Sequence, residues 1–503
     1  MAEAAPAAPA PMRGLRLRSH DECAKQLEPT RADLAKAVEL TTCQPQAVDM
    51  TAWIQGGEVL QLPVGDGEHH VLFNPLGSGG VTVVDKSARS ILEAFRQPTT
   101  KAAALRNWAG SNGEFRRVFG ELTRFGMLHP AGQPPRRPDF GRSEVLTAWL
   151  HVTNACNLDC PYCYLDKNGE PMTEETGRAA VEAVFRSAVG HGFKGVKLKY
   201  AGGEASLNHK LVLLLHDYAV ELAKKHGVQL YATLLSNGTA LPKWLIQSLK
   251  ARDIKVMVSL DGIGEMHDAV RKTKSGQPTF RIVERTIGRL LELGHAPHLS
   301  ITITARNAPG LADVVQWALE RDLSFSLNLF RDNDCAASFS DLQFEEQAMI
   351  EALLAGFQVI EEIMPAWSVL GLILDRGQLL QPRQRACGVG EDYVVIDQKG
   401  GVASCHMEIE KTLGDVFRDD PLELVRHSPL RTLNIISDEK EGCRDCPWRY
   451  WCTGGCSVAT FRATGRFDIK SPNCHIYKAI YPAALRLEGL RLLKYATPAI
   501  ASQ

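Results

Sequence analysis

The sequence predicts an α/β protein built on a partial (β/α)6 TIM-like barrel, with a winged-helix-like module before it and a Cys-rich region after it. Three observations predict this. Six apolar, β-branched runs alternate with amphipathic helical patterns between residues 143 and 335. A hairpin signal followed by three short helical patterns precedes them. Ten of the 13 cysteines fall into two spaced groups, one just after the first barrel strand and one near the C-terminus.

In chain order, residues 1–50 are Ala/Pro-rich at their start, weakly periodic and without an apolar core. They read as a disordered or weakly ordered tail rather than a secretory signal. Residues 51–132 hold the hairpin "HHVLFNPLGSGGVTVVD" and the helices "KSARSILEAF", "TKAAALRNWA" and "GEFRRVFGELTRFGML". The Pro- and Arg-rich stretch "PAGQPPRRPDFGR" reads as a linker. The barrel strands are "VLTAWLHV", "VKLKYA", "QLYATLL", "KVMVSL", "HLSITIT" and "SFSLNLF". Strand–helix alternation implies parallel pairing with right-handed crossovers, and chemistry at the strands' C-terminal ends. Residues 336–384 read as a helical bridge, 385–480 as the Cys-rich domain and 481–503 as a closing amphipathic helix.

The chain has 503 residues, 45% hydrophobic, with a net charge of -1. That balance gives no electrostatic argument for nucleic acid, and no apolar run is long enough to span a membrane. A cytoplasmic, reducing compartment is expected, where clustered cysteines favour metal over disulfides. Cys23, Cys43 and Cys335 stand outside both groups and read as buried or merely tolerated thiols.

The stretch "TNACNLDCPYCYL" brings Cys156, Cys160 and Cys163 within eight positions. A zinc site needs a fourth ligand, and only His151 on the preceding strand and Asp159 lie near in sequence. Three thiolates suit a cubane iron-sulfur cluster with one iron left open.

"CNLDCPYCY" resembles the signature of radical S-adenosylmethionine (radical SAM) enzymes, and "YAGGEASL" resembles their GGE motif. The resemblance implies that the open iron binds S-adenosylmethionine, which on one-electron reduction yields a hydrogen-abstracting 5′-deoxyadenosyl radical. It implies that Gly202 and Gly203 let the backbone approach the cofactor and that Glu204 accepts from its amino group. Asn237, Ser259 and Arg271 fall where family members hold the ribose and carboxylate, and Tyr162 falls near the adenine.

The second group is Cys387, Cys405, Cys443, Cys446, Cys452, Cys456 and Cys474. Its order, with "CRDCPWRYWCTGGC" at its centre, resembles the SPASM extension of radical enzymes that modify peptides and proteins. The resemblance implies one complete site at Cys443, Cys446, Cys452 and Cys474. A second cluster would lie at Cys387, Cys405 and Cys456, its fourth position open or filled by Glu391, Asp392, Asp397, water or substrate. Three 4Fe-4S clusters are therefore expected. His406 stands where sulfatase-maturing relatives carry an acidic base, which makes it a candidate proton carrier.

The segment 65–130 resembles the precursor-recognition element of peptide maturases. This implies strand addition of a leader peptide on an open hairpin edge. The expected activity is crosslinking, carbon–carbon or thioether, of a ribosomal precursor peptide, with flavodoxin or ferredoxin as electron donor. Two alternatives remain: a maturase oxidising a Cys or Ser side chain of a protein such as a sulfatase, and an iron-sulfur regulator using the winged helix on DNA.

Overall fold

The computed structural model describes residues 50–65, 67–77 and 80–495. The expected tail lies outside the described residues except for Met50, as do Cys23, Cys43 and the last eight residues of the expected closing helix. The described residues divide into two compact units, the first ending at residue 138 and taking in 492–495, the second spanning residues 139–491.

In the first unit, β1 (Ala52–Gln55), β2 (Leu60–Val64), β3 (His69–Phe73), β4 (Thr82–Asp85), β5 (Thr99–Thr100) and β6 (Leu128–Pro130) form two sheets, in the orders β5-β1-β6 and β2-β3-β4. The expected hairpin is β3–β4, paired antiparallel from His69↔Asp85 to Leu72↔Thr82. The three expected helices run Lys86–Glu93, Lys101–Arg106 and Asn112–Arg124. Asp85 caps the first by accepting from the Ala88 amide at 2.8 Å, and Ser111 caps the third by accepting from Glu114 at 3.2 Å. Their apolar faces close on Leu72, Val84, Phe95 and Leu128.

The expected open edge is qualified by burial. Thr82, Val83 and Val84 of β4 are 2%, 4% and 0% exposed, whereas Pro63 on the opposite edge strand, β2, is exposed. Strand β2 escapes sequence reading because its proline argues against a strand; as an edge strand it tolerates one.

In the second unit all six expected barrel strands are present: β7 (Val145–His151), β8 (Gly195–Ala201), β9 (Gln229–Ser236), β10 (Ile254–Ser259), β11 (His298–Ile303) and β12 (Phe325–Leu329). They pair in parallel and in sequence order. The intervening helices Glu174–Gly190, His209–His226, Lys243–Ala251, Phe280–Glu292 and Leu311–Leu319 match the expected patterns. Residues Leu146, Ala148, Leu150, Val196 and Leu198 are fully buried on one face of the sheet. The alternate positions, including Trp149, Lys197 and Lys199, are half-buried on the other, as a strand period of two requires.

Three further strands extend the same sheet. β13 (Tyr393–Ile396) pairs parallel with β7, and β14 (Gly401–Ala403) and β15 (Gly414–Asp415) follow antiparallel, so nine strands run in the order β12-β11-β10-β9-β8-β7-β13-β14-β15. The Cys-rich region thus begins as an extension of the barrel sheet. In the region expected as a bridge, the helix Glu346–Ile363 forms. The last helix, Cys474–Tyr495, starts seven residues before the expected position 481 and carries Cys474 as its first residue.

Candidate functional site

The loop after β7 carries Cys156, Cys160 and Cys163, all half-buried. It is tied to the segment after β10 by the Asp159 amide donating to the Lys272 carbonyl at 2.8 Å and that of Lys274 donating to Asn157 at 3.3 Å. Burial raises the Cys156 thiol and pushes Cys160 up to about 12, and each of the two is raised further by Cys163 nearby. Three mutually close thiols in a protein interior, Cys156 and Cys160 resisting ionisation, suit a cation; an iron cluster would supply one, and the donor set fits. Lys167, bonded to Asp159 at 3.0 Å, adds positive charge beside Cys160 and Cys163.

The GGE segment meets this loop directly. The Gly203 amide donates to the Thr153 carbonyl and the Glu204 amide to the Ala155 carbonyl, each at 2.8 Å. A Cβ on Gly202 would lie 2.1 Å from the Thr153 oxygen, and one on Gly203 2.3 Å from the Ala155 oxygen. Gly202 also has φ of 137°. Both glycines are therefore required for backbone packing against the cluster loop, independently of any cofactor approach.

Glu204 is 1% exposed, and burial raises its pKa. Its carboxylate accepts from the Ser206 amide at 3.1 Å, the Ser236 hydroxyl at 2.8 Å and the Asn237 amide at 2.6 Å. An ionised carboxylate has about four acceptor positions, so one remains for a cofactor amine. Asn237 donates to Asn157 at 2.9 Å and sits 3.8 Å from the Cys156 sulfur. Ser259 closes β10, half-buried and in register with Ser300 on β11.

Arg271 and Tyr162 converge on Asp261, a residue to which sequence reading assigns no role. Arg271 Nε donates to Asp261 Oδ2 at 2.6 Å, and the Tyr162 hydroxyl donates to the same oxygen. The Thr302 amide donates to Asp261 Oδ1 at 2.8 Å. Burial alone would lower the Arg271 pKa; Asp261 overrides it and holds the guanidinium charged. Both residues expected at the cofactor are thus anchored by one buried carboxylate, and the Arg271 guanidinium lies over the Tyr162 ring, 5.4 Å from its centre.

In the C-terminal region Cys443, Cys446, Cys452 and Cys474 line a single cavity with Trp448, Lys470 and Tyr481. Burial pushes Cys443 up to about 11 and Cys452 to about 12. Among the described residues no three His, Cys, Asp or Glu side chains form a group that could hold a single metal ion. The four thiols ring a space instead, and an all-thiol ring of four fits a cubane.

Cys387, Cys405 and Cys456 form the other group. Burial raises Cys387 and pushes Cys405 up to about 12, each raised further by Cys456. At Cys456, burial is outweighed by Arg331 and Arg376, and the thiol is lowered. The carboxylates expected as a fourth ligand are engaged elsewhere: Glu391 pairs with Arg385 at 2.9 Å, Asp397 accepts from the Lys399 and Gly401 amides, and Asp392 bonds Ser143. Lys440, fully buried and donating to the Thr453 carbonyl at 3.1 Å, lies near thiols of both groups, Cys443 and Cys452 on one side and Cys387 and Cys456 on the other. Sequence reading gave no signal for it.

His406 is half-buried, its ring stacked on Trp149 at 4.6 Å and 8°, with Nδ1 3.0 Å from the Tyr393 hydroxyl. Burial, then Arg376 and His151, hold it well below the usual histidine range. It is a neutral, oriented ring rather than a freely titrating one. Tyr164, raised by burial, lies close to both Cys163 and Cys405, between the first cluster loop and the second thiol group. Cys335 is exposed, so of its two expected readings it is the tolerated thiol.

The Radical SAM superfamily pattern matches residues 150–308, and that of the iron-sulfur cluster-binding domain SPASM matches residues 387–447. The chain carries a radical SAM domain followed by a SPASM iron-sulfur domain.

It is 24% identical over 308 residues to the sporulation killing factor maturation protein SkfB of Bacillus subtilis, covering 59% of this chain and 68% of that protein. It is 27% identical over 335 residues to the cysteine-type anaerobic sulfatase-maturating enzyme of Clostridium perfringens, covering 61% and 86%. An uncharacterised protein of Methanocaldococcus jannaschii is 29% identical over 182 residues, 35% of this chain and 61% of that protein, so the chain spans about three fifths of that relative. The solved structure of native anSMEcpe with bound AdoMet and Cp18Cys peptide shares the fold, with a TM-score of 0.57 and 21% identity over 69% of this chain and 99% of that one. Among the described residues no helix is long and apolar enough to cross a membrane.

Proposed function

We propose that this radical SAM enzyme is a peptide maturase that abstracts hydrogen from a ribosomally made precursor and closes an intramolecular carbon–carbon or thioether bond. One observation carries the reading: a compact N-terminal unit with two three-stranded sheets and three helices is joined to the radical barrel. A small-molecule enzyme has no need of it, and strand addition to a sheet edge is a common way to hold an extended peptide. Similarity to SkfB, a maturation protein by name, supports the same class.

S-adenosylmethionine, when bound, supplies the hydrogen-abstracting radical. This chain's residues do the rest. Cys156, Cys160 and Cys163 would hold the cluster that reduces it. Glu204, Asn237, Ser259, Arg271 and Tyr162 would orient it. Cys443, Cys446, Cys452 and Cys474 would hold one auxiliary cluster, and Cys387, Cys405 and Cys456 another with an open position. A coordinated substrate thiol at that position would lose its proton. A flavodoxin or ferredoxin would supply electrons.

The alternative of oxidising a Cys or Ser on a sulfatase-like protein needs a base at position 406, and there His406 is stacked on Trp149 and held near Tyr393. An iron-sulfur DNA regulator leaves the GGE and Asp261 machinery without use.

The test is anaerobic. Reconstituted full-length protein, reduced with precursor peptides co-expressed with it, should form 5′-deoxyadenosine and leave a peptide lighter by two hydrogens per bond. A Cys or Ser oxidised without a crosslink would favour the sulfatase type. A chain starting at residue 140 that modifies full-length precursor as well as the intact protein does would remove the recognition role of residues 65–130. The binding edge itself is better probed on β2 than by proline at Thr82 or Val84, since those side chains are buried and their loss would report on folding.

A further inference from the structure

The sheet face opposite the barrel helices carries two lysines that form no salt bridge among the described residues. Lys197 and Lys199 stand two apart on β8 and share that face. Their neighbours on β7, in register, are Thr147 and Trp149. The Lys199 ammonium lies 5.1 Å from the Trp149 ring centre. The pair also lowers His298 of β11, three strands away, so the three share one face of the curved sheet. Burial comes first in lowering both lysines, taking Lys199 down to about 8; its other influences are the positive charges of Lys197 and Arg376. Arg376 is answered by the thiols of Cys387, Cys405 and Cys456, which it in turn makes more acidic or less hindered from ionising. No carboxylate or thiol acts on the lysines in the same way.

A second observation points to a missing partner. His151, on the same face of β7 two residues beyond Trp149, is fully buried, and among the described residues neither ring nitrogen has a hydrogen-bond partner. Burial keeps its ring neutral, with a pKa of about 3. Two half-buried cations without a carboxylate partner and a buried imidazole without a hydrogen-bond partner, as found among the described residues, cost free energy. A ligand carrying negative charge and a hydrogen-bonding edge would offset that cost.

We propose that Lys197 and Lys199 bind a carboxylate of the peptide substrate inside the barrel, making this an enzyme for acidic peptide segments. This rests on the reading of the chain as a peptide maturase and names its substrate class. The carboxylate comes from an Asp or Glu side chain or from a peptide C-terminus. Lysine donates to it as a compact, strongly hydrated charge, which suits a single carboxylate oxygen whose exact position varies between peptides.

The test uses two synthetic random decapeptide libraries, one with free C-terminal carboxylates and one amidated. Each is incubated with the reconstituted full-length holoenzyme, and retained peptides are sequenced by mass spectrometry. Enrichment of about tenfold, the worth of one charge-assisted hydrogen bond, is expected for Asp and Glu in both libraries or for free-acid over amidated peptides. The first pattern assigns a side chain and the second a C-terminus. Lys199→Arg should keep the preference, and the double variant Lys197→Met with Lys199→Met should lose it. If the double variant fails to load iron, Lys199→Gln carries the comparison. No enrichment over the input, or equal enrichment in wild type and the Met or Gln variant, overturns the inference. Wild-type holoenzyme that forms no 5′-deoxyadenosine on reduction would sink the functional reading instead; one that forms it yet ignores acidic peptides sinks this inference alone.

Discussion

Gly203→Ala tests how the GGE segment works. The added Cβ would lie 2.3 Å from the Ala155 carbonyl oxygen and 2.6 Å from its carbon, against an ordinary contact beginning at 3.4 Å. Both atoms are backbone, so no side chain can swing aside, and the strand end and cluster loop must part by about 1 Å. Overpacking of this kind costs about 1–3 kcal/mol. The Gly203–Thr153 and Glu204–Ala155 hydrogen bonds, both 2.8 Å, lie in the same contact, and losing them adds about 1 kcal/mol each. The sum is roughly 3–5 kcal/mol, which lowers a thermal midpoint by on the order of 10 °C. Because Ala155 precedes the first cluster cysteine, the strain falls on the cluster loop itself. The assays are anaerobic melting followed by circular dichroism, and iron content with the reduced-cluster EPR signal. Expected are a lower midpoint and selective loss of the radical cluster, with the auxiliary iron retained. A variant that melts as wild type and carries its full iron would show that the loop accommodates the methyl group, and the packing explanation would fall.

Replacing Cys156, Cys160 and Cys163 together by alanine should abolish 5′-deoxyadenosine formation, read by chromatography after anaerobic reduction; undiminished product would refute the ligand assignment. Replacing Cys443 and Cys446 by alanine should lower iron by about four per chain while the radical-cluster EPR signal persists; unchanged iron, or zinc in their place, would count against a cluster in that cavity. His267 is fully buried, accepts from the Asp261 amide on Nδ1 at 3.2 Å, and is held down to about 4 by burial and then Arg271. Its folded pKa lies below the unfolded value of 6.5, so the unfolded chain takes up the proton first, and stability falls as pH drops from about 6.5 to 4 at about 1.4 kcal/mol per pH unit. His267→Gln should flatten the stability–pH slope by about 1 kcal/mol between pH 5.5 and 6.5, where the unfolded histidine is partly protonated, measured in denaturant at fixed iron loading; an unchanged slope would show that another group carries the titration.

The barrel was legible because most of its strands alternate between buried and less buried positions, β10, β11 and β12 throughout, and its helices are amphipathic, so period and burial largely coincide. β13, β14 and β15 were not legible: strands of four, three and two residues carry too little pattern, and their pairing joins residue 393 to residue 147 across the whole barrel. The cysteines announced themselves by spacing. The groups that position the site did not. Asp261 looks like any aspartate after a strand until Arg271 and Tyr162 are seen to meet on it. Lys440 looks like a surface lysine until it is found fully buried between two thiol groups. For the GGE glycines, position could be read but cause could not. Their identity follows from the carbonyls of Thr153 and Ala155, which only tertiary structure brings against them.

The way β13 joins the sheet bears on what the Cys-rich region is for. Ile396 of β13 is paired with Leu150 of β7, and each strand leads toward thiols: β7 into the loop of Cys156, Cys160 and Cys163, and β13 through a tight turn and β14 to Cys405. Strand pairing fixes register, because a slip of one residue would turn Val394 and Ile396, both fully buried, to the opposite face. The sheet therefore sets the distance between the radical loop and the second thiol group as firmly as it sets the spacing within the barrel. The Trp149–His406 stack and the placement of Tyr164 near both Cys163 and Cys405 follow from that register. The barrel face with Lys197 and Lys199 is bounded by the same elements, since Trp149 touches the Lys199 ammonium on one side and His406 on the other. A substrate held by the lysines would then lie beside the open thiol group, and a truncation before residue 385 would strip β7 of its neighbour and expose its edge. Deleting the Cys-rich region should thus damage the radical site itself, which an independently tethered domain would leave intact.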